Sequence, residues 1–110
     1  MSQRPPFVKV ATVQEIPEGA VRHVLVHDKP IALCHAEGSF YAVNAVCAHM
    51  GGPLASGHLN GCVLACPWHG WTYDVRTGLP DHPGGHSISV YEVKVEGNDI
   101  FVGWLKRPGS

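Results

Sequence analysis

Four side chains near the middle of the chain could hold metal. Cys47 and His49 stand one residue apart, sixteen residues follow, and Cys66 and His69 then stand two residues apart. Cysteine thiolate and neutral imidazole are the standard soft and intermediate metal ligands of proteins. Zinc modules usually gather two cysteines in one short segment and two histidines in another. Here each segment supplies one of each. That mixing suits a centre of two metals, in which both thiolates reach one ion and both imidazoles the other. A single structural zinc on the same four residues is the competing reading, and it implies a colourless protein without redox chemistry. Two disulfides among Cys34, Cys47, Cys62 and Cys66 would leave the matched histidines unexplained.

Cys47-x-His49 together with Cys66-Pro67-Trp68-His69-Gly70 resembles the signature of Rieske [2Fe–2S] proteins. With its small size, the chain is similar to the Rieske-type ferredoxins that serve bacterial ring-hydroxylating oxygenases. The specific part of the resemblance lies within residues 47–78. It implies one [2Fe–2S] cluster, with Cys47 and Cys66 on one iron and His49 and His69 on the other. In that family the histidines bind through Nδ1 and leave Nε2 toward solvent. Two ferric ions against two sulfides and two thiolates leave the oxidised centre formally neutral. Adding an electron to a neutral centre is easier than adding one to the dianionic four-cysteine type.

The neighbours of these residues suggest how such a centre is tuned. Gly51, Gly52 and Gly70 let backbone N–H groups come close to sulfur. Met50, Trp68 and Trp71 are apolar neighbours expected to shield it. Tyr73 is placed to donate a hydrogen bond to a sulfur, and the resemblance implies that Pro83 covers a third side. High-potential members of the family carry a disulfide between the two ligand loops; the matching positions here are Gly52 and Trp68. Trp71 occupies the place where those members have a serine that donates to a sulfide. The expectation is a low potential, near the lower end of the Rieske range at about −150 mV.

These residues imply a one-electron carrier rather than an enzyme. The expected partners are a flavin-dependent, NAD(P)H-fed ferredoxin reductase and a terminal aromatic-ring-hydroxylating oxygenase. The alternative is a Rieske-fold small subunit of a larger reductase, such as an assimilatory nitrite reductase. Oxygenation needs a mononuclear iron on two histidines and a carboxylate, and 110 residues leave no room for that further domain.

The rest of the chain must form a scaffold for these loops. Its length argues a single domain, 1–110, with a cluster-binding subdomain at about 45–86. A formal net charge of −1 gives no polycationic surface for nucleic acid. No segment is apolar enough to span a bilayer, and Met1 to Pro6 lead into no signal-peptide core. A cytoplasmic protein with reduced thiols is the expectation. Alternating apolar residues predict strands over 7–13, 20–27, 31–36, 40–43, 62–65, 71–75, 87–96 and 100–105. Turns are expected at Ile16 to Gly19, Asp28 to Pro30, Glu37-Gly38, Asn60-Gly61, Arg76 to Gly78 and Gly97 to Asp99. Leu79 to His86 reads as a loop. No window carries a helical period, so the fold class is all-β, an antiparallel sandwich or open barrel.

Several further residues have chemistry without an assigned role. His23 and His27 would share a strand face, most simply as an exposed polar face, with a second metal site as the alternative. Cys34 and Cys62 lie in apolar runs and read as buried free thiols. His58, His82 and His86 could flank the centre; as surface residues they need no role.

Overall fold

The computed structural model describes residues 7–47, 53–68, 70–80 and 86–107. Among the described residues nine strands form two antiparallel sheets. The larger has six strands: β1 (Val8–Thr12), β2 (Val21–Val26), β3 (Lys29–Ala36), β4 (Ser39–Asn44), β8 (Val90–Glu96) and β9 (Asp99–Arg107), in the order β1-β9-β8-β4-β3-β2. The smaller is a meander of β5 (His58–Asn60), β6 (Val63–Ala65) and β7 (Thr72–Asp74). The only helical pieces among the described residues are two 3-10 turns, Val13–Glu15 and Leu54–Ser56. No described helix is long and apolar enough to cross a membrane.

The alternation in β3 organises the interior. Successive side chains of a strand point to opposite faces, and β3 is buried on both. Ile31 and Leu33 enter one core with Ala11, Ile16, Val26, Ala42, Ile100 and Val102. Ala32, Cys34 and Ala36 enter the other, with Leu54, Leu59, Leu64, Tyr73, Val75, Ile88 and both Cys47 and Cys66. β4 divides in the same way, Ala42 to the first core and Val43 to the second. The edge strands β1 and β2 approach each other around the first core, so the six-stranded sheet curls into an open barrel. The second core lies between that sheet and the three-stranded one.

Tight turns set the register. Glu37 and Gly38, at φ of +51° and +81°, form the expected two-residue hairpin turn between β3 and β4. Both central residues of such a turn need positive φ. The Glu18 carboxylate accepts from the amides of Glu37 (2.6 Å) and Gly38 (3.0 Å), which ties the turn to the segment before β2. His35 is held beside it, with Nδ1 2.8 Å from the Ile16 carbonyl, Nε2 3.3 Å from Glu18, and its ring stacked on Phe40.

Two of the expected turns shift by a residue. The turn before β3 is His27-Asp28, at φ of +51° and +67°, and Lys29 and Pro30 already belong to the strand. Histidine and aspartate tolerate the left-handed region better than most residues. His27 therefore leaves β2, while His23 stays on it, exposed, and the two do not share a strand face. The β5–β6 turn is Gly61-Cys62, because Asn60 pairs with Val63. Glycine takes the positive φ there (+62°), so Asn60 remains in the ladder and Cys62 leaves the strand. β5 itself was missed: a hairpin turn requires a strand before it, and three residues carry too short a pattern to read. At the ends, Val13 turns into the 3-10 segment, β8 starts at Val90 rather than at residue 87, and β9 extends to Arg107.

Gly57 lets the Leu54–Ser56 turn lie against β6. A Cβ there would run into the backbone carbonyl of Ala65, the residue before Cys66. Gly57→Ala is expected to destabilise the fold by about 1–3 kcal/mol through overpacking. The check is a urea midpoint at unchanged slope; a change within about 0.5 kcal/mol would show that the contact yields without cost.

Candidate metal centre

The two cysteines of the motif arrive from different elements. Cys47 follows β4 after Ala45 and the exposed Val46, where an isolated bridge joins Val46 to Pro53. The Leu54 amide donates to Ala45 (2.8 Å), so the chain returns to its starting point after the loop. Cys66 is carried by β6. Its amide donates to the Trp71 carbonyl (2.7 Å), and its own carbonyl accepts from Gly70 (3.0 Å). Gly70 has φ of +74°, a value that suits glycine in this tight return between β6 and β7. Both cysteines are buried in the second core, and none of the four cysteines forms a disulfide.

Tyr73 binds the arrangement together. It lies at the centre of β7, opposite Leu64 of β6, with its ring fully buried. Its hydroxyl lies 3.1 Å from Cys47 Sγ, within hydrogen-bonding distance for sulfur. A phenol O–H donates to a thiolate, so this contact stabilises negative charge on the sulfur. An isolated bridge between Tyr73 and Pro80 lays the next loop beside the same residue. The sequence named Tyr73 as a sulfur donor, and in the fold its hydroxyl lies beside Cys47 Sγ.

The other named residues divide. His49, Met50, Gly51, Gly52, His69, His82 and Pro83 lie outside the described residues. Trp71 packs half-buried against the second core. Trp68 points outward and is largely exposed, so its indole does not shield the cysteines by packing on that core. His58 and His86 are both exposed. Among the described residues no group of three or more histidine, cysteine or acidic side chains is placed to hold a metal. That holds for the His23 and His27 alternative too.

Two thiols brought to one buried core, not joined to each other, with a phenol on one sulfur, fit the thiolate half of a [2Fe–2S] site. The remaining thiols have different surroundings. Cys34 is fully buried on β3, and its thiol donates to the Ala32 carbonyl at 3.9 Å. Cys62 donates to Glu37 Oε1 at 3.3 Å, a link between the hairpin tips of the two sheets that the sequence did not reveal. Burial, and then the Glu37 carboxylate, raise its pKa. Beside it, the Arg76 hydrogen bond holds the Asp74 carboxyl below its ordinary value.

Burial pushes the Cys34 thiol up from its ordinary 9.0 to about 12. The folded chain thus holds this proton more tightly than the unfolded chain does. The resulting stability is complete below about pH 9 and is lost as pH rises toward 12. Cys34→Ala is expected to flatten the fall of unfolding free energy across that window, whatever its effect at neutral pH. Urea titrations at stepped pH read this directly, and parallel slopes for the two proteins would refute it.

Comparison with known proteins places this geometry. The Rieske [2Fe–2S] domain family matches residues 6–92. The ferredoxin component of a naphthalene 1,2-dioxygenase system from Pseudomonas aeruginosa is 35% identical over 97 residues, covering 87% of this chain and 93% of that protein. The ferredoxin of carbazole 1,9a-dioxygenase from Nocardioides aromaticivorans superposes with a TM-score of 0.84 at 29% identity, over 88% of this chain and 96% of its own. A chain from a solved complex of reduced oxygenase and oxidised ferredoxin in carbazole 1,9a-dioxygenase gives a TM-score of 0.83 at 31% identity, over 91% of this chain and 94% of its own. With the fold, the paired cysteines and the tyrosine in place, this chain belongs to the Rieske [2Fe–2S] domain family.

Proposed function

We propose that this protein is the ferredoxin component of a ring-hydroxylating dioxygenase system. It takes one electron from a flavin-dependent, NAD(P)H-fed reductase and passes it to a terminal oxygenase. The near full-length match to stand-alone ferredoxin components carries this reading. The chain is a carrier, not a catalyst: its surface needs a contact for each partner and no substrate site. The cluster, when bound, supplies reversible one-electron chemistry. Cys47 and Cys66 would hold one iron and His49 and His69 the other. The three-stranded sheet and its loops, about residues 45–86, act as the cluster-binding subdomain of one domain spanning 1–110. Four cysteines outside any disulfide favour a reducing compartment, which supports a cytoplasmic location.

The chain's own residues have separable tasks. β6 and its return through Gly70 set Cys66. The Ala45–Leu54 hydrogen bond closes the loop that bears Cys47. The Tyr73 hydroxyl offsets charge on the Cys47 sulfur, and the buried core keeps water from both sulfurs.

The reconstituted protein is expected to bind two irons and two sulfides per chain and, after dithionite, to give the rhombic EPR signal of a Rieske centre. His69→Ala should lose that signal. Zinc in place of iron, or an unchanged signal in the variant, would overturn the ligand assignment. The reduced protein should then transfer its electron to the terminal oxygenase of a naphthalene or a carbazole dioxygenase system. Transfer to neither, with a stable complex formed only with a large reductase subunit, would favour the small-subunit alternative.

Tyr73→Phe removes a donor that matters most when the centre is negative. The reduction potential should fall by about 50 mV, the equivalent of roughly 1 kcal/mol at 59 mV per tenfold for one electron. Voltammetry of the two proteins under the same conditions measures it, and an unchanged or raised potential would exclude the hydrogen bond as a tuning element.

A further inference from the structure

The Tyr73 hydroxyl and the Cys47 sulfur meet at 3.1 Å, although they come from different sheets. A closed ring of contacts holds that distance. From Cys47 the chain leads back to the end of β4, where the Asn44 amide donates to the Ser89 carbonyl (2.9 Å) and Val43 pairs with Val90. Beside them, the Ile88 amide donates to the Gly78 carbonyl (2.8 Å). Gly78 has φ of +78°, and a Cβ there would run into the Ile88 carbonyl and the Val90 side chain, so this turn sits directly on the large sheet. The Gly78 amide donates to the Asp74 carbonyl (2.7 Å), and the Asp74 amide donates to the Leu79 carbonyl (2.9 Å). Asp74 is the neighbour of Tyr73, whose bridge to Pro80 completes the turn. The ring thus runs from Cys47 through β4, Ile88, Gly78 and Asp74 to Tyr73, and the hydroxyl closes it on the sulfur.

The Asp74 side chain shapes this turn. Its Oδ1 accepts from the Arg76 amide at 2.8 Å, a local bond that mimics a backbone turn. Its two oxygens also take the Arg76 guanidinium, at 3.0 and 2.7 Å. With the carboxylate so held, the Asp74 carbonyl faces the amides of Thr77 (3.3 Å) and Gly78 (2.7 Å). Successive side chains of a strand point to opposite faces, so Tyr73 and Asp74 point apart on β7. The carboxylate therefore acts on the hydroxyl through the backbone that the two residues share. Hydrogen bonds weaken steeply with misalignment, so a small movement of that backbone is enough to weaken the contact with sulfur.

Resting on the ligand assignment proposed above, we infer that Asp74 is a positioning residue for the redox centre: its carboxylate holds the 74–78 turn against Ile88 and Val90, and that turn sets the Tyr73 hydroxyl on the Cys47 sulfur. Geometry and charge can be told apart here, because they act with opposite sign. Removing the carboxylate leaves the Arg76 cation unpaired, which favours an added electron and raises the potential. Losing the O–H···S contact removes a stabiliser of the reduced, more negative centre and lowers the potential.

The test uses the cluster-loaded protein and reads its reduction potential by voltammetry. In Asp74→Ala the equilibrium constant for reduction should fall by about threefold or more, roughly 30 mV at 59 mV per tenfold. Asp74→Asn keeps a side-chain oxygen for the Arg76 amide without the charge, and its potential should stay at or above that of the wild type. In a Tyr73→Phe background, Asp74→Ala should no longer lower the potential, a coupling that general loosening of the fold would not produce. Resonance Raman gives a second readout. The iron–thiolate stretches of the wild type and Asp74→Asn should shift in heavy water, and those of Asp74→Ala and Tyr73→Phe should shift less. If the alanine variant fails to hold its cluster, Asp74→Glu decides: it keeps the charge but is too long for the local bond to Arg76, and its potential should still fall. An unchanged or raised potential in Asp74→Ala, an equal fall in Asp74→Asn, or the same fall with and without Tyr73 would overturn the inference. A wild-type protein without a Rieske signal would instead overturn the ligand assignment on which it rests.

Discussion

The structure depends on one strand buried on both faces. A strand in that position cannot be amphipathic; it must send alternate side chains into two separate cores. β3 sends Ile31 and Leu33 into the barrel and Ala32, Cys34 and Ala36 toward the smaller sheet. The difference in size matters. Branched side chains fill the barrel, where six strands curl around them. Small ones face the meander and leave volume in the shared core for Tyr73, the bulkiest fully buried side chain among the described residues.

The site follows from that division. The second core contains Cys47, Cys66 and Tyr73 along with ordinary aliphatic residues, so the groups that would hold metal are fixed by the same packing that stabilises the fold. Cys47 comes from the end of β4 in the large sheet and Cys66 from the end of β6 in the small one. The Tyr73 hydroxyl crosses between them. A bound cluster would join the two sheets at one point, and the Cys62–Glu37 contact joins them at another. Holding two sheets at two points fixes their relative orientation more firmly than either contact alone.

The same arrangement separates roles on the surface. Ion pairs such as Lys9–Asp99, Arg22–Glu15 and Lys94–Glu96 decorate the large sheet, where they help solubility and contribute little to stability. The cysteine-bearing segments carry apolar side chains and glycines instead.

Much of this was legible in the chain. The types and spacing of Cys47, His49, Cys66 and His69 pointed to the Rieske family, because few residue types bind metal and their order is a local property. Period-two alternation determined the all-β class and most strands, since that period follows from backbone geometry alone. Gly38, Gly61 and Gly97 marked hairpin turns because positive φ is a local demand. Other features were decided only by the tertiary structure. Whether the turn is Asn60-Gly61 or Gly61-Cys62 depends on the register of two paired strands. Whether His27 is strand or turn depends on where Lys29 finds its partner. Tyr73 meets Cys47, twenty-six positions away, and Cys62 meets Glu37 only because two sheets pack face to face. Such contacts arise from the burial of non-local surfaces, and no local pattern of residues records which surfaces will meet.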